Sequence, residues 1–418
     1  MSSPSRSEHT PPVVVVGGGL AGAACAAALA RRGASVVLLE QEGGAGRHSS
    51  GRSAGLVRRA IADPVLARLT VEGAEAIARR AAGEPWFRRT GSVLVDPRGT
   101  IPSEIWEQID HRPIDAAPLV SRLPWLRAAS LDGAVLTPSD GVVDPAALLA
   151  SLLEELHACG GEVRFGARVI RPLVEDGRVV AVELWDEELP LTDSPSAGSS
   201  SAVLPVSALV VASGAWGAEW GASLGLPISL TPTRRSLQLA APPEGGAADA
   251  PWVWHLDERW YARPGTEGVL LCAGEEHVDT PGDAQEDSEA EARFEWILRD
   301  RLALDETWPP LRRWSGHRTF LPDRRFLLGP DPRCAGWHWA VGLGGHGITT
   351  CLPVGERVAT ALIEGDPEAI EPEFRLRPAA LSGCVRVGGE PAREPRTGAR
   401  SEVRGGGGDT ARDADVER

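Results

Sequence analysis

Val13-Val-Val-Val16 followed by Gly17-Gly18-Gly19-Leu20-Ala21-Gly22 decides the fold. Four β-branched residues in a row, with no polar alternation, predict a strand buried on both faces, as in a parallel sheet. The glycines break that strand. Alanine-rich Leu20–Arg32 then predicts a helix, closed by Gly33. Ser35–Glu40 predicts a second buried strand. Gly17-x-Gly19-x-x-Gly22 therefore sits inside a βαβ unit of the dinucleotide-binding type. The first glycine makes the turn, the second lets a pyrophosphate approach the backbone, and the third packs helix on strand. The pyrophosphate would rest on the helix N-terminus, against free N–H groups. Glu40, 18 residues past Gly22, stands where an acid binds a ribose hydroxyl.

Outward from this unit, residues 43–55 form a long loop of glycine, serine and arginine. Pro64–Arg80 predicts a helix and Ser92–Asp96 a strand. Asp144–Ala158 predicts a helix with Asp144 as N-cap, Pro145 behind it and Gly160-Gly161 as the stop. Three strands are expected near 162–165, 168–174 and 178–185, the last two turning at Asp176-Gly177. The serine-rich stretch 187–202 reads as a surface loop, and Val206–Val211 as another buried strand running into Gly214. Ser236–Ala240, Trp252–Leu256, Trp260–Arg263 and Val269–Ala273 are further expected strands, followed by a helix near 285–303. Trp337–Val341 is a last buried strand. It meets the turn Gly342–Gly347, and a helix continues to about Ile363.

Parallel-strand and helical signals occupy both ends and the stretch 144–216, with antiparallel signals between them. This predicts an α/β fold, α+β overall: a Rossmann-like FAD-binding domain interrupted by an antiparallel-sheet substrate domain. The expected boundaries are 1–84, 144–217 and 325–382 for the nucleotide part, 85–143 and 218–324 for the substrate part, and 383–418 for a disordered tail. Three features favour FAD over NAD. The loop 43–55 suits an extended cofactor. Gly214 offers a second backbone contact. Gly344-Gly345-His346-Gly347 opens a helix whose N–H groups can face a flavin ring.

Composition narrows the function further. The net charge of −15 argues against nucleic acid and anionic membrane surfaces. All 43 basic residues are arginine, and the chain contains neither lysine nor asparagine. That excludes a lysine Schiff base to pyridoxal phosphate, a phosphate-binding loop with its lysine, a protein kinase and N-glycosylation. The six cysteines show no metal or CxxC spacing, so no metal site is expected. They read as reduced thiols of a cytoplasmic protein. Met1–Pro12 lacks a signal-peptide core, and the glycines of 13–29 argue against a membrane span.

These pieces, in this order, resemble the D-amino-acid oxidase superfamily of FAD enzymes. Within it they come nearest to the D-arginine dehydrogenase and glycine oxidase-like members. The resemblance covers about residues 12–364. It is carried by His48-Ser-Ser-Gly-Arg-Ser-Ala54, Pro232-Thr-Arg-Arg-Ser236, Leu256-Asp-Glu-Arg-Trp-Tyr261, Trp314-Ser-Gly-His-Arg318 and Gly344-Gly-His-Gly-Ile348. It implies non-covalent FAD, because the family's histidyl attachment position falls on an arginine and a serine.

The cofactor-binding residues so expected are Gly17, Gly19, Leu20, Ala21, Gly22, Glu40, Gln41, His48, Ser49, Ser50, Gly51, Arg52, Ser53, Ala54, Gly214, Gly344, Gly345, His346, Gly347 and Ile348. The resemblance also implies that Arg235 and Arg318 clamp a substrate carboxylate and that Tyr261 faces the substrate. His346 is the candidate to touch substrate or flavin. Alternation along a strand turns Arg234 away from Arg235, and His317 away from Arg318.

The family position of an acid that holds a cationic side chain falls on Ser92. Its lid groups fall on Ile61 and Leu56, and a glutamine position falls on Thr349. A strongly cationic substrate is therefore not expected. The expected reaction is hydride transfer from the Cα of an amino acid, D-configured or glycine-like, to the flavin, giving an imine that hydrolyses to a 2-oxo acid. The alternatives are oxidation of a sarcosine-like secondary amine and a non-catalytic electron-transfer subunit. The electron acceptor is open. Absence of the lysine that sarcosine-oxidase-like members hold beside the flavin leans toward a dehydrogenase.

Overall fold

The computed structural model describes residues 10–185, 201–241, 247–285, 288–302 and 310–381. The expected tail, 383–418, and most of the expected loop 187–202 lie outside them. Ser201 and Ala202, assigned to that loop by composition, instead begin a strand, Ser201–Pro205, which pairs with Arg178–Trp185.

Six strands form the first sheet, in the order 327–330, 337–341, 208–211, 13–16, 36–39, 162–164. All neighbours run parallel except Leu327–Pro330 against Trp337–Val341. Every residue of Val13–Val16 and of Val36–Leu39 is buried, as unbroken apolar runs require. Leu20–Arg31 crosses between these two strands. Its alanines let the long helix Gly347–Ile363 approach closely: a Cβ on Gly355 would lie 2.5 Å from the Ala24 carbonyl oxygen. Asp144 caps Pro145–Ala158 as expected, accepting from the N–H groups of Ala146 (2.9 Å) and Ala147 (3.3 Å). Asp176 and Gly177 both adopt positive φ, 47° and 76°, at the two-residue hairpin turn.

The second sheet has nine strands. It runs in the order 277–278, 231–240, 269–272, 260–264, 252–255, 92–95, 134–137, 112–113, with 310–320 added against 231–240. It is antiparallel with one exception: Ser92–Val95 runs parallel to Trp252–His255. That pairing joins strands from segments 85–143 and 218–324 side by side. The helix expected at 285–303 is Ser288–Trp296, continued by one π-helical turn at Ile297–Arg301.

Gly22 shows why the motif admits only glycine. A Cβ there would sit 1.9 Å from the Gly17 carbonyl oxygen, and Gly17 itself holds φ 111°. We expect Gly22→Ala to push helix and strand apart. FAD uptake by the purified variant, followed by absorbance, should fall at least about tenfold, as overpacking of ~1–3 kcal/mol implies.

Candidate active site

Both sheets contribute to one cavity of about 450 Å³. Of the residues expected to bind cofactor, all line it except Gly22 and Gly51. Gly22 and Gly51 shape turns instead: each packs against a backbone carbonyl, of Gly17 and Gly46 respectively. The glycine turn opens the Leu20–Arg31 helix into the cavity. Ser50 Oγ accepts the Leu20 N–H at 3.0 Å, tying the loop 43–55 to the helix N-terminus. Glu40 Oε2 takes the Gly18 N–H at 2.6 Å, and Oε1 takes the Glu42 N–H at 2.9 Å. These bonds fix the carboxylate at the end of its strand.

His48 stands edge-on to Trp216 at 4.7 Å, and its Nε2 meets Glu42 at 2.9 Å. Ser49 donates to the His317 carbonyl at 2.8 Å. Arg52 donates to the Ser315 carbonyl at 3.1 Å and pairs with Asp283 at 2.5 Å, so it spans the loop and the 310–320 strand. Among the described residues, three buried polar atoms of cavity-lining residues have no hydrogen-bond partner: Arg235 Nε on the sheet face, and His48 Nδ1 and Ser213 Oγ at the glycine-turn end. Unsatisfied groups of this kind, beside a helix N-terminus and a fixed acid, fit a polar cofactor.

The other end of the cavity is one face of the nine-stranded sheet. Register places Arg318 opposite Thr233, two residues before Arg235. Leu237 pairs with Cys272, Cys272 with Tyr261, and Tyr261 with Trp254. Opposed residues point to the same face, so Arg318, Arg235, Leu237, Cys272, Tyr261 and Trp254 share one. Arg234 and His317, also opposed, take the reverse face, as alternation predicted. There His317 Nε2 pairs with Asp279 at 3.1 Å. Tyr261 is buried, lies tilted against Trp254 with ring centroids 5.1 Å apart, and bonds the Cys272 thiol. Burial pushes its phenol well above the ordinary range. Trp254 lines the cavity, whereas Trp252 and Trp260 are fully buried in the core.

Arginines dominate this end. Arg318 lies across Gly345, where a Cβ would stand 2.8 Å from its Cδ and Nε. A glycine at φ 87° therefore makes room for the guanidinium. Arg318 forms no ion pair among the described residues. Arg235 differs from the expected clamp. Its Nη2 pairs with Glu276 at 2.7 Å, and Glu276 also receives Arg324 at 2.8 Å and Arg259 at 3.3 Å. Burial, and then the neighbouring Arg318, lower the pKa of Arg235.

Arg58 was not singled out by the sequence. Its guanidinium lies 4.0 Å above the Trp254 ring and lines the cavity. Burial lowers its pKa to about 10. His346, one residue before the Gly347–Ile363 helix, is held neutral. Burial, reinforced by Arg58, Arg318 and Arg324, lowers its pKa to about 3.

The family's side-chain positions also resolve. Leu56 and Thr349 line the cavity, but Ile61 is 5 % exposed and packs in the core, not in a lid. Ser92 is buried away from the cavity and donates to Asp140 Oδ2 at 2.7 Å. An acid does stand at that place, supplied by Asp140, but Arg59 neutralises it at 3.2 Å.

Known proteins define the class. The DAO family of FAD-dependent oxidoreductases matches residues 12–361, and this chain belongs to it. FAD is its cofactor. The chain is 26% identical over 282 residues to FAD-dependent oxidoreductase domain-containing protein 1 of Bos taurus, covering 60% of this chain and 56% of that one. It is 25% identical over 255 residues to the formaldehyde-forming 4-methylaminobutanoate oxidase of Paenarthrobacter nicotinovorans, covering 58% and 29%. It thus spans less than two thirds of these relatives' length. Its fold matches L-proline dehydrogenase from P. horikoshii, with TM-score 0.73, 20% identity and coverage of 85% and 94%. No helix among the described residues is long and apolar enough to cross a membrane.

Proposed function

We propose that the protein oxidises the Cα–N bond of an amino or imino acid. Bound FAD would supply the acceptor for the hydride. The observation that carries this reading is Arg318, an arginine that forms no ion pair among the described residues, on the sheet face that also bears Tyr261. Arg318 holds the carboxylate of the substrate and so orients the Cα–H. Tyr261 and Trp254 form the wall beside it. The glycine turn 344–347 and the following helix N-terminus close the opposite side.

Among the described residues no acidic side chain lines this end of the cavity, which supports a substrate that is not strongly cationic. The substrate part of the chain is assigned to 85–143 and 218–324, and the cofactor part to 1–84, 144–217 and 325–382. The five described cysteines are free thiols, which supports a cytoplasmic location. Oxidation of a secondary amine is the second reading, favoured by the activity named for the 4-methylaminobutanoate oxidase. D-configuration and an acceptor other than O2 remain part of the first.

The test is spectroscopic. The FAD-loaded protein is mixed anaerobically with D- and L-amino acids, glycine, sarcosine and proline. Bleaching of the flavin bands by a carboxylate-bearing amine supports the reading, and a protein that no member reduces overturns it. The pH dependence is a separate expectation. Because His346 ionises only near 3, its protonation contributes no limb between pH 5 and 8. Replacing His346 with Gln should therefore leave the shape of the kcat/KM profile unchanged across that range.

A further inference from the structure

Arg58 is the group at this site that the reaction so far described does not use. Arg58 is half-buried and lines the cavity, and a guanidinium drawn out of bulk water is kept only where something answers its charge. The ring of Trp254 answers part of it and holds the guanidinium plane 4.0 Å above its own. Stacking leaves the N–H edges free, and no carboxylate forms an ion pair with Arg58 among the described residues. Asp140, whose charge acts on it, is already bonded to Arg59 and Ser92.

Arg318 forms no ion pair among the described residues either, so two cations of the cavity wall lack a counter-charge there. Their positions separate them. Arg318 rises from strand 310–320, and Arg58 covers strand 252–255. Strands 231–240, 269–272 and 260–264 intervene. Four inter-strand steps of ~4.8 Å separate strand 310–320 from the strand of Trp254, over which the Arg58 guanidinium lies, and the charge of Arg318 still acts on Arg58. Tyr261 and Cys272 stand on the face between. The two guanidinium groups therefore face one cavity from different elements, near enough for each to feel the other's charge, an arrangement suited to two anionic groups on one ligand.

We propose that the cavity selects a dicarboxylic amino or imino acid, with Arg318 on the carboxylate beside the reacting carbon and Arg58 on the second. The inference rests on the assigned amino-acid oxidation, but its test needs no turnover. Glutarate and butyrate, unreactive acids that differ by one carboxylate, are titrated into the FAD-loaded protein by calorimetry. Glutarate should bind at least about tenfold more tightly, the effect of one charge-assisted contact. Arg58→Met should bring the ratio to about one. Arg58→Lys, which keeps a charge without the planar fork, should keep a ratio of roughly three and serves if the methionine variant fails to fold.

Equal binding of the two acids, or a preference that survives Arg58→Met, overturns the proposal. So does an equal loss for both acids, which would mean that the two arginines share one carboxylate. A shift of the ligand-free flavin spectrum in Arg58→Met with the ratio intact also overturns it, since Arg58 would then serve the flavin. An Arg58-dependent preference in a protein whose flavin no amino acid bleaches would uphold the dicarboxylate site and refute the oxidation instead.

Discussion

Arg318→Met is expected to lower kcat/KM for the true substrate by about 10²–10⁴-fold. Each charge-assisted bond of a guanidinium to a carboxylate is worth ~1.5–3 kcal/mol, and a fork makes two. About 1.4 kcal/mol corresponds to a factor of ten. The loss should appear in both KM and kcat, because the same bonds hold the substrate and aim its Cα–H. Flavin content should be retained, since the Gly17–Gly22 turn and Ser50 do not touch this residue. Arg235→Met provides the contrast. Its guanidinium is bonded to Glu276, which also has Arg324 and Arg259. Steady-state kinetics should show a loss of about tenfold or less, as for an arginine that shapes the field but does not hold the substrate. A turnover by Arg318→Met within a factor of a few of the parent would remove this residue from the substrate site.

The difference between these two arginines marks where sequence reading stops. Strand alternation put Arg235 and Arg234 on opposite faces, with the resemblance selecting Arg235, and the sheet obeys the alternation because period-two geometry is local. What Arg235 touches is decided by Glu276, which neither propensity nor spacing marks. The βαβ unit was legible to within a residue or two, since glycine strain, apolar runs and caps act within a few positions. Arg58 was illegible for the opposite reason. It sits in an Arg58-Arg59 pair just after a two-residue strand, Leu56–Val57. Its partner Trp254 lies far along the chain, and only the folded sheet brings them together. Ile61 misled in the same way: a lid position in the resemblance is here a core position under the Pro64–Ala81 helix.

Asp140→Ala is expected to destabilise the protein by about 3–5 kcal/mol, the range for removing one partner of a buried ion pair. Asp140 is fully buried and carries three bonds: from the Arg59 N–H at 3.2 Å, from Arg59 Nη1 at 3.2 Å and from the Ser92 hydroxyl at 2.7 Å. Arg59 is itself only 7 % exposed and would keep just the Ser139 carbonyl. Asp140→Asn separates charge from shape. Burial raises the Asp140 pKa from 3.8 to about 6, against the pull of Ser92 and Arg59. Between those values the folded state holds a proton that the unfolded chain has released. Stability from this group therefore falls as pH rises from about 4 to 6 and is level above. The asparagine variant lacks that slope. Denaturant titrations at several pH values should show the parent losing stability relative to Asp140→Asn up to pH 6. A parallel pair of curves would mean that Asp140 stays ionised throughout, held by Arg59 more strongly than its burial opposes.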